Sequence, residues 1–332
     1  MNRLNNFSFS AQFFRKSTVY AVFFFLVLSM ALCSALHAAD PEFSVIAPLA
    51  SKSLLLAGVF TDGRAVVVGE KGHILFSDDQ GDTWTQARVP TIATLTGVFF
   101  HDKNLGWAVG HDAVILRTTD GGENWERVHF APEEERPLFD VWFKDDKTGF
   151  AVGAYGFFLT TEDGGNRWSS KMISEDDWHL NQIKRSENGR MYIAGEAGMA
   201  YRSDDEGQTW INLPSPYHGS FFGALPLDGD TVLLFGLRGN LYRSEDAGEN
   251  WQKIATHTKS MLDYGILLPD GRIFIMGLGG TMLVSHDDGK SFTSYQQPNR
   301  RGILSALPIE NNDLILVGQG GVKKISIGEK DK

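Results

Sequence analysis

Apolar residues in this chain come in short runs rich in Val, Ile, Leu and aromatics, each bounded by Gly and Asp. That is the signature of strands separated by tight turns. No long stretch after the N-terminal segment sustains a 3.6-residue apolar period, so helices are not expected there. One apolar run in each unit ends in glycine, at Gly69, Gly110, Gly153, Gly195, Gly236, Gly277 and Gly318. Their spacings are 41, 43, 42, 41, 41 and 41 residues. Within one period the second unit reads as four strands, Leu95–Phe100, Trp107–Gly110, Val114–Thr118 and Trp125–His129. Four strands in about 40–45 residues is the size of a propeller blade, so the prediction is an all-β, seven-bladed β-propeller. The seventh unit supplies three strands, Ile303–Leu307, Leu314–Gly318 and Val322–Ile327. Phe43–Leu49 has no hairpin partner and is expected to pair with the last of these, closing the ring and covering a sheet edge.

A second pattern keeps the same register. Ser/Thr-x-Asp-x-Gly-x-x-Trp recurs around Asp79, Asp120, Asp163, Asp205 and Asp246, and a sixth copy around Asp287 ends in Phe292. Each copy falls on the hairpin between third and fourth strands. Ser, Thr and Asp side chains fold tight turns by bonding nearby amides, and Gly supplies positive φ. The aromatic residue is expected to pack between neighbouring blades. Carboxylates repeated at a structural period point to turn-building rather than to six metal or sugar sites.

The N-terminus departs from the repeat. Arg3, Arg15 and Lys16 precede the uncharged run 19–36, followed by His37-Ala38-Ala39. Residues 1–38 are therefore expected to be a signal peptide, or an uncleaved anchor given the length of the run. Residues 39–328 would be the propeller and 329–332 a charged tail. Either reading places the propeller across the cytoplasmic membrane, in a periplasm, a lumen or outside the cell. Cys33, the single cysteine, lies in the signal, so disulfides, thiolate catalysis and cysteine metal sites are not expected in the domain. The first 38 residues hold three basic and no acidic residues; their removal leaves 28 basic against 41 acidic residues, a net charge of −13. Such a balance disfavours nucleic acid as a partner. A monomer is expected.

The repeated turn resembles the Asp box, or BNR repeat, of sialidases, sortilin-type receptors and several secreted propellers. In those families it sits on the face opposite the ligand site. The wider pattern is more specific. Gly106-Trp107-Ala108-Val109-Gly110 followed by Ile115–Trp125, and Gly149-Phe150-Ala151-Val152-Gly153 followed by Thr160–Gly165, resemble the photosystem II stability/assembly factor family. The resemblance runs from residue 43 to 327. It implies a seven-bladed propeller outside the cytoplasm, a non-enzymatic assembly or accessory factor. Its partner would be a membrane protein complex or a newly made subunit of one, docked through an extramembrane segment on one propeller face.

The rival reading is a secreted carbohydrate-active enzyme or lectin on the same scaffold. Sialidases need three arginines, a Tyr–Glu pair and an Arg-Ile-Pro segment, and Arg-Ile-Pro is absent. Arg117, Arg202 and Arg243 share one phase, but that phase leads to the Asp boxes, so pairing with local acids is expected. Other glycosidases need only two carboxyls ~5–10 Å apart. No HExxH or His-x₃-His spacing and no phosphate loop occurs, so neither metal nor cofactor is expected.

Propeller geometry places candidate partner-binding residues at the channel and on the face opposite the Asp boxes. Among first-strand residues the phase Gly58, Gly97, Asp140, Gln182, Gly223, Tyr264, Ser305 is small or polar and is expected to face the channel. The adjacent phase is Ala57, Thr96, Phe139, Asn181, Phe222, Asp263, Leu304. Loops leading into first strands carry Trp178, His179, Arg300 and Arg301. Trp178 is an off-period aromatic beside acids and a histidine, which suits a partner anchor. The candidate set is Asp140, Trp178, His179, Gln182, Asp263, Tyr264, Arg300 and Arg301.

Overall fold

The structure is a computed structural model that describes residues 42–310 and 313–328. The signal or anchor and the charged tail lie outside the described residues. Seven antiparallel sheets follow one another along the chain, six with four strands and the last with three. Each sheet is a meander in chain order, so the seven-bladed propeller predicted from the period is the fold. In the second blade the strands are Leu95–Phe100, Gly106–Gly110, Ile115–Thr118 and Glu126–His129. The second strand of every blade is buried along almost its whole length, which explains its unbroken apolar runs.

The repeat glycines have a physical reason. They end the second strands in extended conformation, so positive φ is not the issue. Close approach is. A Cβ on Gly110 would lie 2.1 Å from the Thr94 carbonyl oxygen, and one on Gly153 would lie 2.2 Å from that of Pro137. That carbonyl accepts a hydrogen bond from the residue after the glycine, His111 to Thr94 and Ala154 to Pro137. The same link recurs in the other blades, for example Leu237 to Ser220 and Leu278 to Met261.

The Asp boxes are turns held by their own side chains. In each, the Ser or Thr hydroxyl donates to the Asp at 2.7–3.0 Å and accepts from the box Gly amide. The Asp also accepts from the amide four residues on. Every box Gly has positive φ. These bonds hold the carboxylates low: Asp79 at about 2, chiefly through the Thr83 hydroxyl and then its amide, and Asp205 at about 2 through Thr209.

Each box also rests on the preceding blade. Gly165 sits against Trp107 of blade two, Gly207 against Phe150 of blade three and Gly248 against Leu213 of blade four. Gly81 of blade one sits against Ile315 of blade seven, which carries the contact round the ring. Trp125 packs in a core with Val66 and Val68 of blade one, and its indole N–H donates to Gly122 at 2.9 Å.

Ring closure differs from expectation. Phe43–Leu49 forms no strand, and the last sheet keeps three strands, Ile303–Ile309, Asp313–Gly318 and Gly321–Ser326. The backbone of this segment is bonded elsewhere. Ser44 N–H donates to Val89, Ala47 N–H donates to the Gln86 side chain, and that side chain donates to the Val45 carbonyl. Pro48 follows and has no N–H to offer a ladder. The seam is sealed by side chains instead, with Ala47 and Ala50 packed among Val67, Leu307, Ile315 and Val317. The edge strand carries Lys323 and Lys324, a device that discourages pairing with other chains.

Three substitutions have defined consequences for stability. Gly110→Ala should cost about 1–3 kcal/mol, as overpacking does. Gly195→Ala should cost less, because its nearest carbonyl, of His179, stands off at 2.9 Å. Trp125→Ala should cost about 3–5 kcal/mol, and urea unfolding of the variants reads all three.

Candidate functional site

The repeat glycines distort the first strands where they line the axis. The residue facing each glycine is followed by one with no partner, and pairing resumes a residue later. Leu95 pairs with Gly110 and then Gly97 with Val109, leaving Thr96 over; Leu262 pairs with Gly277 and then Tyr264 with Met276, leaving Asp263 over. All seven blades carry this bulge. A bulge re-aims side chains. Neighbouring residues of one strand can therefore both reach the channel, where plain alternation allows one.

The channel is a cavity of about 410 Å³ lined by the first strands of all seven blades. The expected phase contributes Gly58, Gly97, Asp140, Gln182, Tyr264 and Ser305, but Gly223 does not line it. The adjacent phase lines it fully through Thr96, Phe139, Asn181, Phe222, Asp263 and Leu304. Blade one is offset by one from the expected alignment. Its bulge residue is Leu56 and its next paired residue Ala57, since Leu55 faces Gly69.

Several channel residues stitch neighbouring blades. Thr96 donates to the Leu138 carbonyl at 2.6 Å, and Asn181 to that of Phe221 at 2.7 Å. Gln182 accepts from Ala224 N–H, and Asp140 from Val141 and Ile183 N–H. Burial pushes the Asp140 carboxyl up, opposed by the charge of Lys184 and by those two amides. Asp263 is different. No side-chain or backbone donor meets it among the described residues, and burial alone pushes it up to about 7. A glycosidase needs two working carboxyls, whereas Asp140 is committed to two blade amides.

A second feature stands at the channel mouth between blades three and four. His179 lines the channel, and its Nδ1 accepts from Tyr155 N–H at 3.0 Å. The neutral ring's proton is thereby placed on Nε2, which lies 3.7 Å from Glu196. Phe139 and Tyr155 both meet the imidazole edge-on. Tyr155 is 56% exposed at the tip of the turn between second and third strands, with φ of 53°, a conformation bulky residues rarely adopt. The equivalent tips are Lys71, Asp112, Ala197, Arg238 and Gly279. Tyr155 was not among the sequence candidates, although it is the one aromatic at the position these six tips share. Trp178 is 40% exposed, and its carbonyl accepts from Gly156 N–H, so its loop is fixed while its indole is offered outward.

The arginines divide. The Arg301 guanidinium lies over Gly320 and lines a cavity of about 220 Å³ with Lys52, Lys323, Asn299 and Gln319. Arg300 takes a positive φ in the same loop and lines neither cavity. The structure therefore sorts the candidates into the channel (Asp140, Gln182, Asp263, Tyr264), its mouth (Trp178, His179) and blade seven (Arg300, Arg301). On the opposite face Arg202 pairs with Asp204 and Glu249, and Arg243 with Glu245 and Asp288, as expected. Arg117 meets no acid among the described residues; it donates to the Asn166 side chain.

Exposed apolar side chains are unevenly spread. The loops into the first strands and the tips between second and third strands share one face, here termed the upper face. Twelve large apolar residues are exposed among the described residues. Phe43, Val45, Ile46, Leu49, Ile92, Phe130, Tyr155, Met172 and Trp178 belong to the upper face or to the segment laid against it. Ile211, Leu267 and Tyr295 alone lie on other strands.

Comparison with known proteins adds a lineage. A family model described as photosynthesis system II assembly factor YCF48 matches residues 44–134 and 129–263. The photosystem II assembly protein Ycf48 of Thermosynechococcus vestitus is 42% identical over 43 residues, 13% of this chain and 12% of that protein. The matched stretch thus spans about an eighth of that relative's length. A solved structure of YCF48 bound to D1 peptide superposes with a TM-score of 0.68 at 20% identity, covering 87% of this chain and 97% of that one. A streptogramin B lyase gives a TM-score of 0.72 at 10% identity, covering 85% of this chain and 96% of that one. Structural likeness at such identities establishes the fold alone.

Asp263 yields a pH test. Below about pH 4 its carboxyl is protonated in both folded and unfolded chains. Between its ordinary value of 3.8 and about 7 the unfolded chain loses the proton and the folded one keeps it, so stability falls as pH rises through that window. Asp263→Asn should be more stable than wild type at pH 8, on the order of 3 kcal/mol, and equal to it near pH 3.5. Thermal melts of both proteins across pH measure the gap.

Proposed function

Since this chain belongs to the family of the photosynthesis system II assembly factor YCF48, we propose that it is an exported, non-enzymatic accessory factor that docks an extramembrane segment of a membrane protein. The upper face is the proposed docking surface. The observation that carries this is that nine of the twelve large apolar side chains exposed among the described residues lie on its loops (Ile92, Phe130, Tyr155, Met172, Trp178) or on the segment 43–49 laid against it. Exposed aromatic and apolar residues anchor partners, and monomeric proteins expose few of them together. Trp178 and Tyr155 are the proposed anchors, on loops tied to one another by the Gly156 to Trp178 bond. Arg301 beside Lys52 and Lys323 offers a cationic pocket on the same face to an anionic group of the client.

The relative solved with a D1 peptide supports a peptide segment as the docked element. A rigid ring suits that task. Its loops are held by backbone bonds and packed blades, so little entropy is lost when a flexible segment binds. The N-terminal charge and apolar pattern support export, with the propeller beyond the cytoplasmic membrane.

Affinity capture from solubilised membranes tests the reading. The wild type should retain an integral membrane protein that a Tyr155→Ala, Trp178→Ala, Arg301→Ala variant loses by at least about tenfold, the effect of 1.4 kcal/mol or more. Substituting Thr83 and Thr209 on the Asp-box face should leave recovery unchanged. Equal recovery by the upper-face variant would remove this face from the account.

A further inference from the structure

The channel holds an acidic group that the ring does not use. At the bulge position, Thr96 and Asn181 each donate to a carbonyl of the next blade. Asp263 occupies the equivalent position on blade six, facing blade seven, where the matching carbonyl belongs to Ile303. An ionised carboxylate has no proton to give, and no hydrogen bond forms there among the described residues. Next to it in the ring lies Ser305, 2% exposed, a residue that lines the same cavity and whose Oγ has no hydrogen-bond partner among the described residues. Buried polar groups left unpaired are costly and uncommon. Ser305 is one of them; Asp263, half-buried and likewise without a donor among the described residues, stands beside it on the adjacent blade and lines the same space.

The surroundings define what would satisfy them. The cavity of about 410 Å³ lies within the size range of small-ligand sites. Leu56, Phe222 and Leu304 give it apolar walls. The ionisable groups that line it are Asp140, His179, Lys184, Asp263 and Tyr264. Lys184 acts on Asp140, whereas no cation offsets the burial of Asp263.

We propose that the channel is a binding site for an ammonium or guanidinium group on an apolar stem, with Asp263 as its counter-ion and Ser305 as a hydrogen-bond acceptor. The cation supplies the donors that Asp263 and Ser305 lack, and the stem packs on Leu304 and Phe222. This site is independent of the family-based docking surface. Its ligand is either a free organic amine or the side chain of a Lys or Arg in a docked segment, which share this chemistry. Holding an unpartnered acid lowers stability, a cost that binding sites commonly carry.

Isothermal titration of the full chain provides the test, with phenethylamine as the free amine, phenethyl alcohol as its uncharged counterpart and doubly capped lysine as the side-chain probe. Either cation should bind one per chain at pH 8, while the alcohol should not. Affinity should fall about tenfold at pH 6, because the acid that pairs with the cation titrates at about 7. His179 at the mouth is also ionisable, so the Asp263→Asn variant separates the two: it should lose binding at both pH values while remaining folded. Ser305→Ala should weaken binding several-fold. Binding of the capped lysine alone assigns the site to a client side chain, and binding of phenethylamine assigns it to free amines. No binding of either cation in the millimolar range, equal binding of the alcohol, or full binding by Asp263→Asn would overturn the proposal.

Discussion

The whole ring depends on one close approach repeated seven times. In six blades the carbonyl before the first strand sits within 2.2 Å of where a Cβ on the second strand's last residue would be, and at Gly195 it stands at 2.9 Å; glycine leaves that space. The following amide then clasps the carbonyl. This contact fixes how each first strand starts, forces the bulge that follows it, and so decides which side chains reach the axis. The acid at residue 263 owes its position to this backbone arrangement rather than to any partner of its own.

The second constraint runs between blades. Each Asp box spends its carboxylate on its own turn, then seats its glycine on the blade before. Because blade one rests in the same way on blade seven, the ring is continuous without a shared sheet at the seam. Channel residues add polar stitches at the inner ends, such as Asn181 to Phe221. The Asp-box face is thus committed to cohesion, with its arginines paired to local acids. The upper face carries fewer such commitments, and there the exposed aromatics collect with Arg301 and Lys52, which form no ion pair among the described residues.

Blade number, strand order and the roles of the Asp boxes were legible in the sequence because they recur. A residue present in every unit reveals its job by repetition. What repetition hides is an extra residue at a fixed place. Each bulge leaves the period intact, so counting finds the right glycines, while alternation reaches one phase of the channel lining, Gly58 and Gly97 included, and misses the adjacent phase that lines it too. The closure of the ring was misread for another reason. Phe43–Leu49 looks like a strand by composition, yet Gln86, one side chain, takes up two of its backbone groups. Of the candidate residues, Trp178 and His179 lie together as their sequence adjacency suggested, whereas Arg300 and Arg301 lie apart from them on blade seven. Tyr155 was missed because nothing marks a turn tip as special until its five counterparts are laid beside it.

The account's central claim is that function resides on the upper face and structure on the Asp-box face. Site-specific photo-crosslinking in cells addresses it most directly, with a benzophenone amino acid placed at residue 172 or 92 on one face and at 83 or 209 on the other. The account predicts adducts with a membrane protein from 172 or 92 and none from 83 or 209. Adducts formed solely from the Asp-box positions would contradict it.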